Sequence, residues 1–130
     1  MNDRQIEEKL TKILDGDAEV LVKYAEELGK KFAPQNMREK NVKLSSSQIR
    51  NILDDVQRMK EFDPNKLMRL RPKLAYAAGK TRQDNSLRQL QPIIDKAIEK
   101  TNTKEKFSNF KDFFEAIVGY HRYHSKIREA

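Results

Sequence analysis

Apolar positions along this chain recur mainly at spacings of three and four residues, the period of amphipathic helices, and show little of the alternation that marks strands. Ile6, Leu10, Ile13 and Leu14 form a first stripe, opened by Asn2 and Gln5 at capping-box spacing and ended by Gly16. Asp17 then stands as the N-cap of a second helix whose Val20, Leu21, Tyr24, Leu28 and Phe32 share a face and which stops before Pro34. Residues 33–43 carry no sustained period, so they predict the longest loop, one that crosses the bundle.

The clearest start signal is Leu44-Ser45-Ser46-Ser47-Gln48-Ile49. Ser45 as N-cap and Gln48 at the third helical position make a capping box, and Leu44 and Ile49 are spaced for a hydrophobic staple. The helix that follows places Ile49, Ile52, Leu53, Val56 and Met59 on a packing side and Arg50, Asp54, Gln57 and Arg58 on the other. Asp63-Pro64 restarts the chain as a new helix. Leu67, Leu70 and Leu74 run on through Arg71-Pro72, where proline removes an interior donor and predicts a kink or a break. A further helix carries Leu87, Leu90, Ile94 and Ile98 and is either kinked at Pro92 or restarted after Gln91. The last, opened by an Asn102-to-Glu105 capping box, sets Phe107, Phe110, Phe113, Phe114 and Ile117 on a broad apolar arc and is expected to be the central element. The fold class is therefore all-α, a compact bundle of five to six helices in a single domain over residues 1–130. Phe110, Phe114, Ile117, Ile52, Leu53 and Val56 are expected in one core.

Composition narrows the picture. Hydrophobic residues at 37% and charged residues at 36% describe a polar but foldable chain. With no cysteine, disulfides, thiolate metal sites and cysteine nucleophiles are excluded, and a reducing compartment is indicated. No apolar run approaches the ~20 residues that span a bilayer, and no signal-peptide core follows Met1, so a cytoplasmic location and no membrane partner are expected.

Charge adds the functional lead. The net charge of +7 divides as −1 over residues 1–40, +6 over 41–90 and +2 over 91–130. Between Asp63 and Asp84 no acidic residue occurs. Such a concentration suits a polyanion, nucleic acid above all. The candidate nucleic-acid-binding residues are Lys43, Arg50 and Arg58, then Lys66, Arg69, Arg71 and Lys73, then Lys80 and Arg82 in a polar loop. Asp54 lies four residues from both Arg50 and Arg58, but an in-helix ion pair contributes only about 0.3–0.5 kcal/mol and leaves either guanidinium free to meet phosphate. Ala75, Ala77, Ala78 and Gly79 permit close approach of a neighbouring helix or of a nucleic-acid backbone. Tyr123, Arg122 and Lys126 form a second, weaker basic edge.

Other chemistry is not indicated. The four glycines are scattered and make no phosphate cradle. The adjacent acidic pairs fall on predicted solvent faces. His121 lies within the apolar arc of the last helix, with His124 one step along it, and two histidines without a further ligand pattern do not make a metal site. Neither catalysis nor a cofactor is expected.

Three blocks carry a family resemblance: Ser45 through Gln48-Ile49-Arg50-Asn51-Ile52-Leu53, then the run from Leu70-Arg71-Pro72-Lys73 to Ala78-Gly79, then Phe110, Phe113-Phe114-Glu115-Ala116-Ile117-Val118 and Tyr120-His121. In this order they resemble the small all-helical subunit of type III-A CRISPR (Csm) interference complexes, and they cover most of residues 45–121. Residues 1–40 carry no matching motif. The resemblance implies a subunit without a catalytic role, copies of which line up beside the guide-containing backbone and contact the guide–target RNA duplex. Guide RNA, target RNA, other subunits of the effector complex and further copies of itself are the implied partners. Two alternatives stay open. One is a helix-turn-helix-like DNA-binding protein with its turn at Asp63-Pro64, although Leu74 to Gly79 supply few base-reading side chains. The other is a protein-binding module with little salt-sensitive affinity for nucleic acid.

Overall fold

In the computed structural model, which describes residues 2–127, side-chain caps fix the start of five of the six α-helices. Asn2 and Gln5 form a reciprocal box at the head of α1 (Asp3–Leu14). Asp17 accepts from the Val20 N–H at 3.0 Å to open α2 (Ala18–Phe32), after Gly16 has turned the chain at a φ of +102° that L side chains rarely adopt. Ser45 and Gln48 form the second reciprocal box, at α3 (Ser46–Gln57). Asp63 accepts from the N–H groups of Asn65 and Lys66, with Pro64 as the first residue of α4 (Pro64–Gly79). α5 (Leu87–Lys100) and α6 (Lys104–His124) complete an all-α fold.

Four local expectations change. α6 is capped by Thr103, whose hydroxyl accepts from Lys106 N–H at 3.1 Å, so the box from Asn102 to Glu105 does not form. Thr101 still belongs to the end of α5, where its hydroxyl donates to the Ala97 carbonyl at 2.7 Å. Only Asn102 is left to reverse the chain, and this moves the helix start one residue on.

Pro72 and Pro92 both lie inside continuous helices. Neither the break at Pro72 nor the restart after Gln91 occurs, and both prolines are exposed, so each ring projects toward water and away from the packed side of its helix. Residues 33–43 do not cross the bundle. Leu44 N–H donates to the Phe32 carbonyl at 3.0 Å, which brings the ends of the connector together, and a 3₁₀ turn at Met37–Glu39 fills its middle. It is a closed surface loop of the Ω type. Ile52 packs against the buried cluster from its margin, while Leu53, Val56, Phe110, Phe114 and Ile117 lie within it.

α6 is the central element, touching α1, α2 and α3. Its pairing with α2 is the most extensive in the molecule and depends on Gly29: a Cβ there would stand 2.7 Å from both His121 N and Tyr120 Cβ. His121 is buried, as its place in the apolar arc predicts, with Nε2 2.7 Å from the Leu44 carbonyl oxygen. His124 is only half-buried, with Nε2 3.1 Å from Glu26 Oε2. On the other side of the bundle α4 packs mainly on α5 and only lightly on α3. That uneven packing opens the cleft described next.

Candidate nucleic-acid interface

Four cations define one line along α4. Lys66, Arg69 and Lys73 sit at i, i+3 and i+7, and Lys80, the C-cap residue just after α4, keeps a helical backbone and continues them at i+14, on the flank between the buried stripe of Leu67, Leu70 and Leu74 and an uncharged outer arc. All four are exposed, and among the described residues none of them has an ion-pair partner. Fourteen residues at helical rise extend ~21 Å, a length over which a nucleic-acid duplex presents several phosphates.

The line borders a trough. A cleft of ≈ 620 Å³ lies between α3 and α4, with Lys40, Lys73, Lys80 and Arg82 around an apolar floor that includes Ile52 and Leu74. An adjoining concavity of ≈ 690 Å³ carries Arg58, Lys60, Lys66 and Arg69. The two share Asp55, Leu70 and Lys73 and so run on from one another. Of the three carboxylates on the second concavity, Asp55 accepts from Arg58 at 2.5 Å and Asp63 caps α4, while Glu61 is exposed at its edge. Asp55, and not the expected Asp54, is thus the partner of Arg58.

The rim at the far end of α4 is held rigidly. Arg88 donates to the carbonyls of Gly79, Thr81 and Arg82, each at 3.2 Å, and thereby satisfies the helix end that carries Lys80. Asn85, which is buried, donates to the Asn41 carbonyl at 3.0 Å and accepts from Leu87 N–H at 2.9 Å. Ser86 N–H adds a 2.7 Å bond to the Val42 carbonyl. These bonds lock the loop bearing Arg82 to the connector bearing Lys40. Neither Arg88 nor Lys40 was among the sequence candidates, because the carbonyls Arg88 holds lie six to nine residues back and Lys40 falls in the aperiodic connector.

The remaining candidates separate. Arg82 lies on the rim and pairs with Asp84 at 3.3 Å. Arg50 is exposed on the side of α3 turned away from the trough, whose α3 wall is Gln48, Asn51, Ile52 and Asp55. Lys43 is turned from the trough toward the end of α2, donating to the Lys31 carbonyl at 3.0 Å.

Arg71 is committed inside the fold. Its Nε and Nη2 reach Asp95 at 2.7 and 2.9 Å, and Nη2 also lies 3.4 Å from Glu99. The hydrogen bond to Asp95 raises the guanidinium pKa still further, so the pair stays charged. Arg71→Ala is expected to lower stability by about 1–2 kcal/mol, less than a fully buried pair would cost because the guanidinium retains 30% of its exposure. Urea denaturation measures this. The same substitution should leave the salt dependence of RNA binding unchanged, which sets Arg71 apart from Arg69 and Lys73.

Among the described residues no group of three or more His, Asp or Glu side chains is placed to hold a metal ion, and no helix is long and apolar enough to cross a membrane. No curated protein and no solved structure matches the chain. A family model, Csm2 Type III-A, matches residues 15–127, which takes in α2 to α6 and every candidate residue named above. The chain belongs to the Csm2 type III-A family, structural subunits of type III-A CRISPR effector complexes.

Proposed function

We propose that this protein is a non-catalytic RNA-binding and assembly subunit that lays the basic line of α4 along the guide–target RNA duplex. The observation that carries this is the set Lys66, Arg69, Lys73 and Lys80, four exposed cations on one helix flank without intramolecular ion-pair partners. Binding through such a line is directed at phosphate and sugar. Sequence discrimination then rests with base pairing between guide and target. Arg58, Arg82 and Lys40 extend the contact across the trough, and the hydrogen-bonded rim holds Lys80 and Arg82 in place before RNA arrives.

α4 also serves assembly. Its outer arc presents Met68, Pro72, Ala75 and Gly79, with Met68 54% exposed, and Tyr76 stands at the border with the trough, its ring 5.0 Å from Lys80 Nζ. An uncharged arc of this kind suits another protein surface, whether a further copy of the chain or another subunit of the complex. It suits a DNA recognition helix poorly, because base reading favours Asn, Gln and Arg at those positions. A cytoplasmic site of action accords with the RNA partners.

The test is Lys80→Ala, with Arg50→Ala as the comparison from the opposite side of α3, each in the assembled complex. Log affinity for target RNA should fall with log salt, and Lys80→Ala should make that slope shallower by roughly one unit. The loss should be equal across unrelated guides. A Lys80→Ala complex that assembles normally and keeps the wild-type slope would put the interface elsewhere, and a loss confined to Arg50→Ala would place it on the far side of α3.

A further inference from the structure

A second basic concavity, of ≈ 660 Å³, lies where the C-terminal ends of α2 and α6 meet the connector. Lys30, Lys31, Lys43 and Lys126 line it against one carboxylate, Glu39, which accepts from Gln35 N–H at 2.8 Å. Part of this charge answers the fold itself. Each helix C-terminus carries about half a negative charge, and Lys43 already donates to the last turn of α2. Two half-charges, Glu39 and the Glu26 carboxylate 3.1 Å behind His124 still fall short of four lysines, so the cleft keeps an excess of positive charge.

Tyr123 stands at the mouth with 79% of its surface exposed. Its ring meets His124 edge-on at 5.0 Å. His124 is anchored in turn: its Nε2 lies 3.1 Å from Glu26, and its carbonyl accepts from Gln35 Nε2 at 2.9 Å. An aromatic face is therefore presented to solvent from a fixed base, beside lysines. That combination binds single strands, whose bases are free to stack on a side chain, whereas duplex bases stack on one another.

The connector joins this cleft to the trough. Lys40 and Asn41 line the trough, while Glu39 and Lys43 line the cleft, so the two sites lie on either side of one short piece of chain. We infer that an unpaired RNA segment continuing from the duplex crosses residues 39–43 into this cleft, where the lysines hold its backbone and Tyr123 stacks one base. The inference rests on the proposed RNA-binding role and adds to it a single-stranded subsite.

The experiment uses assembled type III-A complexes carrying Tyr123→Ala, the pair Lys30→Ala and Lys126→Ala, or the trough pair Lys73→Ala and Lys80→Ala. Two kinds of target RNA are compared, one ending at the guide-paired region and one bearing a ten-nucleotide unpaired extension at either end. Wild type should bind an extended target more tightly. Tyr123→Ala and the Lys30/Lys126 pair should each remove that gain, by about fivefold or more for Tyr123, and leave the fully paired target unaffected. The trough pair should weaken both targets. A 4-thiouridine in the extension should crosslink to the Tyr123 segment. No gain from the extension in wild type, or cleft variants that bind both targets as wild type does, would overturn the subsite and leave the trough reading standing. Equal weakening of both targets would make the cleft a duplex contact, and failure of the variants to enter the complex would make it a protein-docking face. Either result also overturns the inference. Inert trough variants beside active cleft variants would remove the trough and keep the cleft.

Discussion

Phe114→Ala is expected to cost about 3–5 kcal/mol, from the lost transfer of a large side chain out of water and from the void it leaves behind. Phe114 is 1% exposed and meets Phe110 edge-on with ring centroids 6.2 Å apart. It belongs to α6, the helix against which α1, α2 and α3 all pack, so the surrounding side chains are fixed from several directions and cannot collapse freely into the gap. Domains of this size are typically stable by only about 5–15 kcal/mol, so the variant should be marginal at 37 °C. Urea denaturation of the isolated chain checks it: the midpoint should fall while the slope of the transition stays constant. A cost below about 1.5 kcal/mol would show that Phe114 sits in a loosely packed region and that α6 is not the centre of the core.

Much of this fold is legible in the sequence because its punctuation is local. Ser45 with Gln48, Asn2 with Gln5, and Asp63 with Pro64 act within one turn of backbone, and each caps the helix its spacing predicts. The prolines are weaker punctuation, and neither breaks its helix. Their penalty is also local, but Leu67, Leu70, Leu74 and Ala78 are buried along α4, and that packing outweighs one missing backbone hydrogen bond at Pro72. The path of the connector is invisible from sequence because the bonds that close it, Leu44 to Phe32 and Ser86 to Val42, join residues far apart in the chain.

The site shows the same division. Helical spacing puts Lys66, Arg69 and Lys73 on one flank of α4, whereas Lys80, expected in the polar loop, joins that line only because the residue after Gly79 keeps a helical backbone. It cannot show that Arg71, two residues from Arg69, is held by Asp95 on another helix, or that Lys43 is turned toward the end of α2. Net charge identifies a basic segment. Only the tertiary arrangement divides it into cations that hold the fold together and cations that remain available.

Removing the whole line, with Lys66, Arg69, Lys73 and Lys80 all changed to Ala, should have the largest functional effect of any surface substitution in this chain. The four side chains are exposed and alanine is the best helix former, so the fold should keep its stability to within about 1 kcal/mol, and a loss of RNA binding cannot be attributed to unfolding. If each cation neutralises one duplex phosphate, the slope of log affinity against log salt should become shallower by about 3.6 for each copy of the subunit. Wild-type and variant complexes should converge near 1 M salt, because pure counterion release vanishes there. That slope difference then implies a deficit of roughly 300-fold per copy at 0.2 M salt, growing as salt is lowered. The measurement is a salt titration of target-RNA affinity on assembled complexes with at least two unrelated guides. A deficit that persists undiminished at 1 M salt would mean that α4 acts through contacts other than phosphate charge. One that differs sharply between guides would mean that these side chains read bases, contrary to the phosphate-directed binding proposed for the trough.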